Sequence, residues 1–273
     1  MTSTNEALGL NVRRVSVRAY EMAIESARRA AASAGDTVAA EVWAELEEVG
    51  IAAGGQLTPQ WENALAAAPN APVQLRVVAT LAATTFETDV VLLPGLGLAT
   101  TQRAVERDED TVREPFVEMV AFPPEQVWQE VRRVLPPIDV VRADPRPTTP
   151  SGRRAVPVPD EVREHLARQS GEGNEVPGQL PSALLEGQDE WHRVVAGGDA
   201  QVGVTVAANL PGKGVVPLGV HRWVVVGDAL YAVDVASGSV ARVEAGAIAY
   251  EVVYLVTGAY TAVAARMNGE ATR

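Results

Sequence analysis

Alternation of apolar and polar residues at period two, read from residue 190 onward, predicts a run of strands before a terminal helix. In Gln201-Val202-Gly203-Val204-Thr205-Val206-Ala207-Ala208, Val202, Val204, Val206 and Ala208 fall on one face. Gln201, Gly203 and Thr205 fall on the other, the pattern of a strand with one buried side. Leu230 to Val235 repeats the alternation, whereas Trp223-Val224-Val225-Val226 is apolar on both sides and reads as more central. Gly227-Asp228 and Ser237-Gly238 lie between these runs as hairpin-type turns, so the connections are antiparallel. After Gly246 the period lengthens. Ile248, Val252, Leu255, Ala259 and Val263 recur at helical spacing and predict a helix packed on the sheet.

The amino-terminal third reads as a helical layer. Val12, Val15 and Val17 suit a short edge strand, with Ser16 as the N-cap of a helix whose face is Tyr20, Ile24, Ala27 and Ala31. A second helix begins at Asp36 or Thr37, buries Val38, Val42, Leu46 and Val49 beside Trp43, and stops at Gly50. Thr58-Pro59 opens a third, with Trp61, Ala64, Leu65 and Ala68 as its apolar residues. Two half-buried strands follow, one over Val73 to Leu81 and one over Phe86 to Leu92. Arg107 to Asp110 reads as an exposed hairpin tip and Phe116 to Phe122 as a further strand. Pro123-Pro124-Glu125 then starts a helix burying Val127, Val131, Val134 and Leu135.

Strands and then a helix is thus the order in both parts of the chain. It predicts one α+β unit over residues 1–273, with pseudo-repeat halves at about 10–135 and 160–265. Residues 136–159 hold seven prolines and no helical period, and read as an extended linker. Asp160 to Gln169 reads as a helix, Ser170 to Gly178 as a loop, and Pro181 to Glu186 as a short helix. Two independent domains joined by the proline-rich stretch are the rival arrangement.

Composition narrows the function more by exclusion than by indication. The formal net charge of −12 opposes nucleic-acid binding, which needs clustered cations. Basic residues are nearly all arginine, Lys213 being the one lysine. No cysteine is present, so neither disulfides nor thiolate metal sites arise. Residues 1–20 lack the pattern of a secretory signal, and a cytoplasmic location is expected. The one stretch apolar enough to span a bilayer, Ala247 to Ala265, is interrupted by Glu251 and equally suits a buried helix.

No catalytic motif is complete. His165, His192 and His221 have no carboxylates at metal-ligand spacing, and Asp228, Asp234 and Glu251 suit solvated turn and strand acids. Gly95 and Gly97 lack the third glycine and following helix of a dinucleotide fingerprint. Gly212-Lys213-Gly214 lacks the rest of a phosphate loop and reads as a hairpin turn, and Ser237-Gly238-Ser239 lacks the surroundings of a nucleophile elbow. No catalytic residue, metal or cofactor is expected.

Three spaced patterns carry a resemblance. They are Val15-Ser16-Val17 leading into Tyr20-Glu21-Met22-Ala23, Trp43-Ala44-Glu45-Leu46 through Gly50-Ile51 to Gly55-Gln56-Leu57-Thr58-Pro59-Gln60-Trp61, and Leu135-Pro136-Pro137 with Val156-Pro157-Val158-Pro159. Their order over nearly the whole chain resembles the EspG chaperones of actinobacterial type VII (ESX) secretion. The glycine-rich loop 170–178 departs from that family by its length. The resemblance implies a mixed, largely antiparallel curved sheet with pseudo-twofold related halves and two helical layers. It also implies a cytosolic chaperone, without catalysis or cofactor, that keeps a helical secretion substrate of PE and PPE type soluble. Burying an apolar tip reversibly requires an apolar floor within a polar rim. Leu180, Leu184, Leu185 and Trp191 are the candidates for that floor, with ordinary helical core as the other reading of the same residues. A scaffold or homodimer interface remains an alternative, as does a small-molecule site or enzyme built from residues distant in sequence.

Overall fold

The computed structural model describes residues 11–28, 37–107, 110–145, 155–156, 193–194, 198–234 and 239–271. Its first elements are β1 (Val12–Ser16), α1 (Val17–Arg28), α2 (Thr37–Glu48), a small ribbon of β2 (Ala52–Ala53) and β3 (Gln56–Leu57), and α3 (Pro59–Ala67). A meander follows: β4 (Val73–Leu81), β5 (Thr84–Leu93), β6 (Leu96–Arg107) and β7 (Asp110–Phe122). Next come α4 (Val127–Val134), the helical turn α5 (Asp139–Arg142) and β8 (Ala155–Val156). A second meander of β9 (Ala200–Leu210), β10 (Gly214–Val226), β11 (Ala229–Asp234) and β12 (Ser239–Val243) leads into α6 (Ala247–Ala271).

Both meanders belong to one ten-stranded sheet of order β1-β7-β6-β5-β4-β9-β10-β11-β12-β8. Every described pairing within it is antiparallel, so the expected mixed character is absent among the described residues. The order reads alike from either edge: each half is a four-stranded meander whose last strand also pairs with the half's first, short strand. The halves meet at β4 and β9, where Val77 lies opposite Val204 in the middle of the pairing. An approximate twofold at that point exchanges β4 with β9, β5 with β10, and α4 with α6.

Alternation then decides what each face carries. Val73, Leu75, Val77 and Ala79 of β4 and Val202, Val204, Val206 and Ala208 of β9 point to one face, where α4 and α6 close a continuous core. α6 contributes Ile248, Ala249, Val252, Val256, Ala259 and Val263 to it. By length and composition that helix would also suffice to cross a membrane. On the opposite face α1, α2 and α3 cover the outer part of the first half, against Leu98, Val117 and Met119. In the second half the same face carries a smaller cluster of Val194, Val224, Val226, Ala229, Tyr231, Val233 and Val240.

Several expectations shift in detail. Ser16 caps α1, its Oγ accepting from the Ala19 amide at 3.1 Å. The buried face of that helix is Ala19, Ala23 and Ala27, with Tyr20 and Ile24 only half-buried, because alanine lets the helix approach closely. Thr58 makes no side-chain cap, although Pro59 does open α3. Within the stretch read as an extended linker, α5 forms with Val141 buried, and Ala155 and Val156 pair with Ala241 and Val240. β7 begins six residues before the expected Phe116, and β6 occupies a stretch for which no strand was expected. The expected elements at 160–169, 170–178 and 181–186 lie outside the described residues.

Candidate partner-binding face

Beside the helices that cover the outer part of the first half, no described helix packs closely on the outward side of β4 and β9. The strip is built by alternation. The same period that sends Val77 and Val204 into the core turns Gln74, Arg76 and Val78 of β4, and Gln201, Gly203 and Thr205 of β9, outward. The register continues the strip onto β10, where Val215, Pro217 and Val220 lie opposite Asn209, Ala207 and Thr205.

These β10 residues are apolar and open. Val220 is 72% exposed and Val215 52%, large values for valines at the middle of a sheet. A bulge between Pro217 and Gly219 inserts Leu218, itself 38% exposed, and bends the strand where α6 comes close on the other side. A Cβ at Gly219 would stand 3.2 Å from Leu255 Cδ2, so glycine there permits the approach.

Charged groups rim the strip. Arg76 pairs with Glu87 at 3.5 Å, and Glu87 also accepts from Arg113 at 3.0 Å. Asp89 lies opposite Arg76 in the ladder. Desolvation holds its carboxyl above the ordinary aspartate range, Arg76 draws it back and Glu87 pushes it further up. Burial holds the hydroxyl of Tyr20, on α1, above the usual tyrosine range, and the Thr100 side chain draws it back.

The other end holds Arg222, which is 8% exposed. Its NH2 donates to Gln201 Oε1, and its Nε is buried without a hydrogen-bond partner. Burial lowers its pKa, and among the described residues no carboxylate acts to raise it.

The residues singled out in the sequence fare differently. Leu180, Leu184, Leu185 and Trp191 lie outside the described residues, as do His165 and His192. His221 stacks on Trp223 at 5.8 Å and stands 3.7 Å from Glu251 of α6, on the core side of the sheet. Asp228 occupies the β10–β11 turn and Asp234 the far end of β11. Among the described residues no three His, Asp or Glu side chains converge as a metal site would need. Gly212-Lys213-Gly214 is the β9–β10 turn, the Lys213 amide donating to the Leu210 carbonyl at 3.0 Å. Gly97 is required by packing: a Cβ there would stand 2.4 Å from Phe122 Cε2.

Sequence reasoning missed Val215, Val220 and Arg222 because it began this strand at Trp223. The available signal was the continued alternation of Val220 and Arg222 with His221 and Trp223.

No family model matches this sequence, and no curated protein is similar to it. Among solved structures it is similar to the Mycobacterium tuberculosis type VII secretion system chaperone EspG5, determined in complex with the PE25-PPE41 dimer. The likeness covers 90% of this chain and 95% of that chain, at a TM-score of 0.53 and 12% identity. The fold is EspG-like. At that identity the likeness concerns the path of the chain, which is what the two proteins share.

Proposed function

We propose that this EspG-like chain is a non-catalytic cytoplasmic chaperone or adaptor of type VII secretion. It binds a helical substrate of PE and PPE type on the strip of β4, β9 and β10 that faces away from α6. The observation that carries this reading is the end-to-end likeness to a chaperone determined with a PE-PPE dimer. The strip adds a physical reason. Val215, Leu218 and Val220 offer apolar surface to an apolar helix tip, and the rim of Arg76, Glu87 and Asp89 keeps the free protein soluble. Leu180, Leu184, Leu185 and Trp191, which lie outside the described residues, remain proposed as apolar contacts for the substrate.

The test is capture of a purified PE-PPE heterodimer from the same genome by the full chain. Beside it run Val220→Asp and the double variant Leu184→Asp with Leu185→Asp. Capture by the wild type and its loss in Val220→Asp, with both proteins folded, is the expected result. No capture by the folded wild type overturns the reading.

Self-association is the second reading, favoured by the outer face of α6, where Tyr250, Val253 and Tyr254 are exposed and the two tyrosine rings stack at 6.3 Å. Sedimentation analysis of Tyr254→Glu against the wild type separates the two: only a dimer on this face becomes monomeric.

A further inference from the structure

The pseudo-twofold sets two charged positions against each other. Exchanging β4 with β9 carries the pair of Arg76 opposite Thr205 onto the pair of Gly203 opposite Val78. On the neighbouring strands it carries Asp89, which lies opposite Arg76, onto Arg222, which lies opposite Gly203. In the first half, therefore, an acid faces a base across the ladder. In the second half a base faces a glycine.

Arg222 consequently lacks what its counterpart has. A guanidinium carries five N–H donors and cannot escape its charge by losing a proton. Here one donor is satisfied by Gln201, Nε is orphaned, and among the described residues no carboxylate pairs with it. An uncompensated cation at this depth opposes folding unless something repays it. Beside it, a Cβ at Gly203 would have, among the described residues, only the Val78 carbonyl oxygen at 3.9 Å. Among the described residues nothing fills the place that a counter-charge would take, and it lies on the strip already assigned to partner binding.

We propose that Arg222, beside the gap over Gly203, is an anchor that receives an aspartate or glutamate side chain of the protein docked on the strip. This rests on the partner-binding reading above and deepens it. The partner places its carboxylate where the first half's arginine stands relative to Asp89, forming a charge-assisted pair in a water-poor setting. The chain thereby selects an apolar helix that carries an acid at one defined position.

The test uses Arg222→Met, which removes the charge, and Gly203→Asp, which supplies a carboxylate from the chain itself. Gly203→Asn is the control of equal size. Each full-length variant is titrated with the purified PE-PPE heterodimer, and thermal unfolding of the free chain is measured alongside. Arg222→Met and Gly203→Asp are expected to bind about tenfold or more weakly than wild type. Free Gly203→Asp is expected to melt higher than free Gly203→Asn, because only the aspartate supplies Arg222 with a counter-charge. Wild-type affinity in Arg222→Met, or equal melting points for free Gly203→Asp and free Gly203→Asn, overturns the anchor. Should the wild type bind no heterodimer, the function fails first and the melting pair decides Arg222: a higher melting point for Gly203→Asp supports an open anion position, and equal melting points refute it.

Discussion

Arg133 closes on both oxygens of the fully buried Glu130, its Nε donating to Oε1 at 3.0 Å and to Oε2 at 3.1 Å, and its NH2 to Oε1 at 2.8 Å. The remaining nitrogen reaches Glu118 Oε2 at 2.5 Å, and NH2 also touches Thr101 Oγ1 at 3.3 Å. One guanidinium thus ties α4 to β6 and β7. Burial pushes the Glu130 carboxyl above the usual glutamate range and Arg133 draws it part of the way back. For Arg133 burial acts downward, and Glu130 with Glu118 outweighs it.

Replacing Arg133 with Met therefore leaves a carboxyl at zero exposure without its cation. The expected loss at neutral pH is about 3–5 kcal/mol. The sign with pH follows from linkage. A carboxyl raised in the folded state favours the proton-bound form, so its contribution is whole below the unfolded pKa and is lost as pH rises through the folded one. The penalty in Arg133→Met shrinks toward about pH 4, the ordinary glutamate value. Urea unfolding of both proteins across that range measures it, and a penalty independent of pH contradicts this account.

Gly97→Ala drives a methyl group into the Phe122 ring, which is 2% exposed and has nowhere to go. Overpacking of this kind costs about 1–3 kcal/mol. Combining it with Phe122→Leu should recover part of the loss, whereas two independent defects would add. Melting temperatures of the two single variants and the double variant decide between them.

Ser16 does two jobs at once: its Oγ caps α1 through the Ala19 amide and donates to Glu45 Oε2 of α2 at 2.8 Å, while its amide also bonds to Glu45. Ser16→Ala is expected to cost about 1–2 kcal/mol, within the range of lost N-caps. A double-mutant cycle with Glu45→Ala should show coupling of at least about 0.5 kcal/mol. Strict additivity would mean that the cap acts alone.

Val220→Asp, proposed above to abolish partner capture, leaves the free protein nearly unchanged. At 72% exposure the side chain contributes little to folding, and a shift within about 0.5 kcal/mol is expected. A large fall in melting temperature would place Val220 in the core and remove it from the binding face.

The alternating strands were legible in the chain wherever one face is buried and the other is not. β9 shows this best, its Val202, Val204, Val206 and Ala208 lying under α6 while Gln201, Gly203 and Thr205 face away. The same rule explains why β6 was not legible. Leu98 packs beneath the amino-terminal helices and Ala99 beneath the opposite core, so both faces are covered. The next inward position carries a polar residue, Thr101, bonded to Thr88 at 2.9 Å, which breaks the apolar pattern a reader would follow.

Periodicity sets which side of its own strand a residue occupies, since that depends only on the local pleat. It does not set what stands beside that residue, because the neighbour belongs to a strand far along the chain. The junction of β4 with β9 joins segments separated by the whole connection between the halves, and only that tertiary pairing sets Arg76 and Val78 beside Thr205 and Gly203. The sequence by itself determined the strands, the helices and their two-part order through local steric and hydrophobic periods. What lies side by side on the strip at the junction of β4 with β9, and the reach of Arg133 from α4 to Glu118 and Thr101, were decided by packing between segments distant in the chain, a relation that no local pattern encodes.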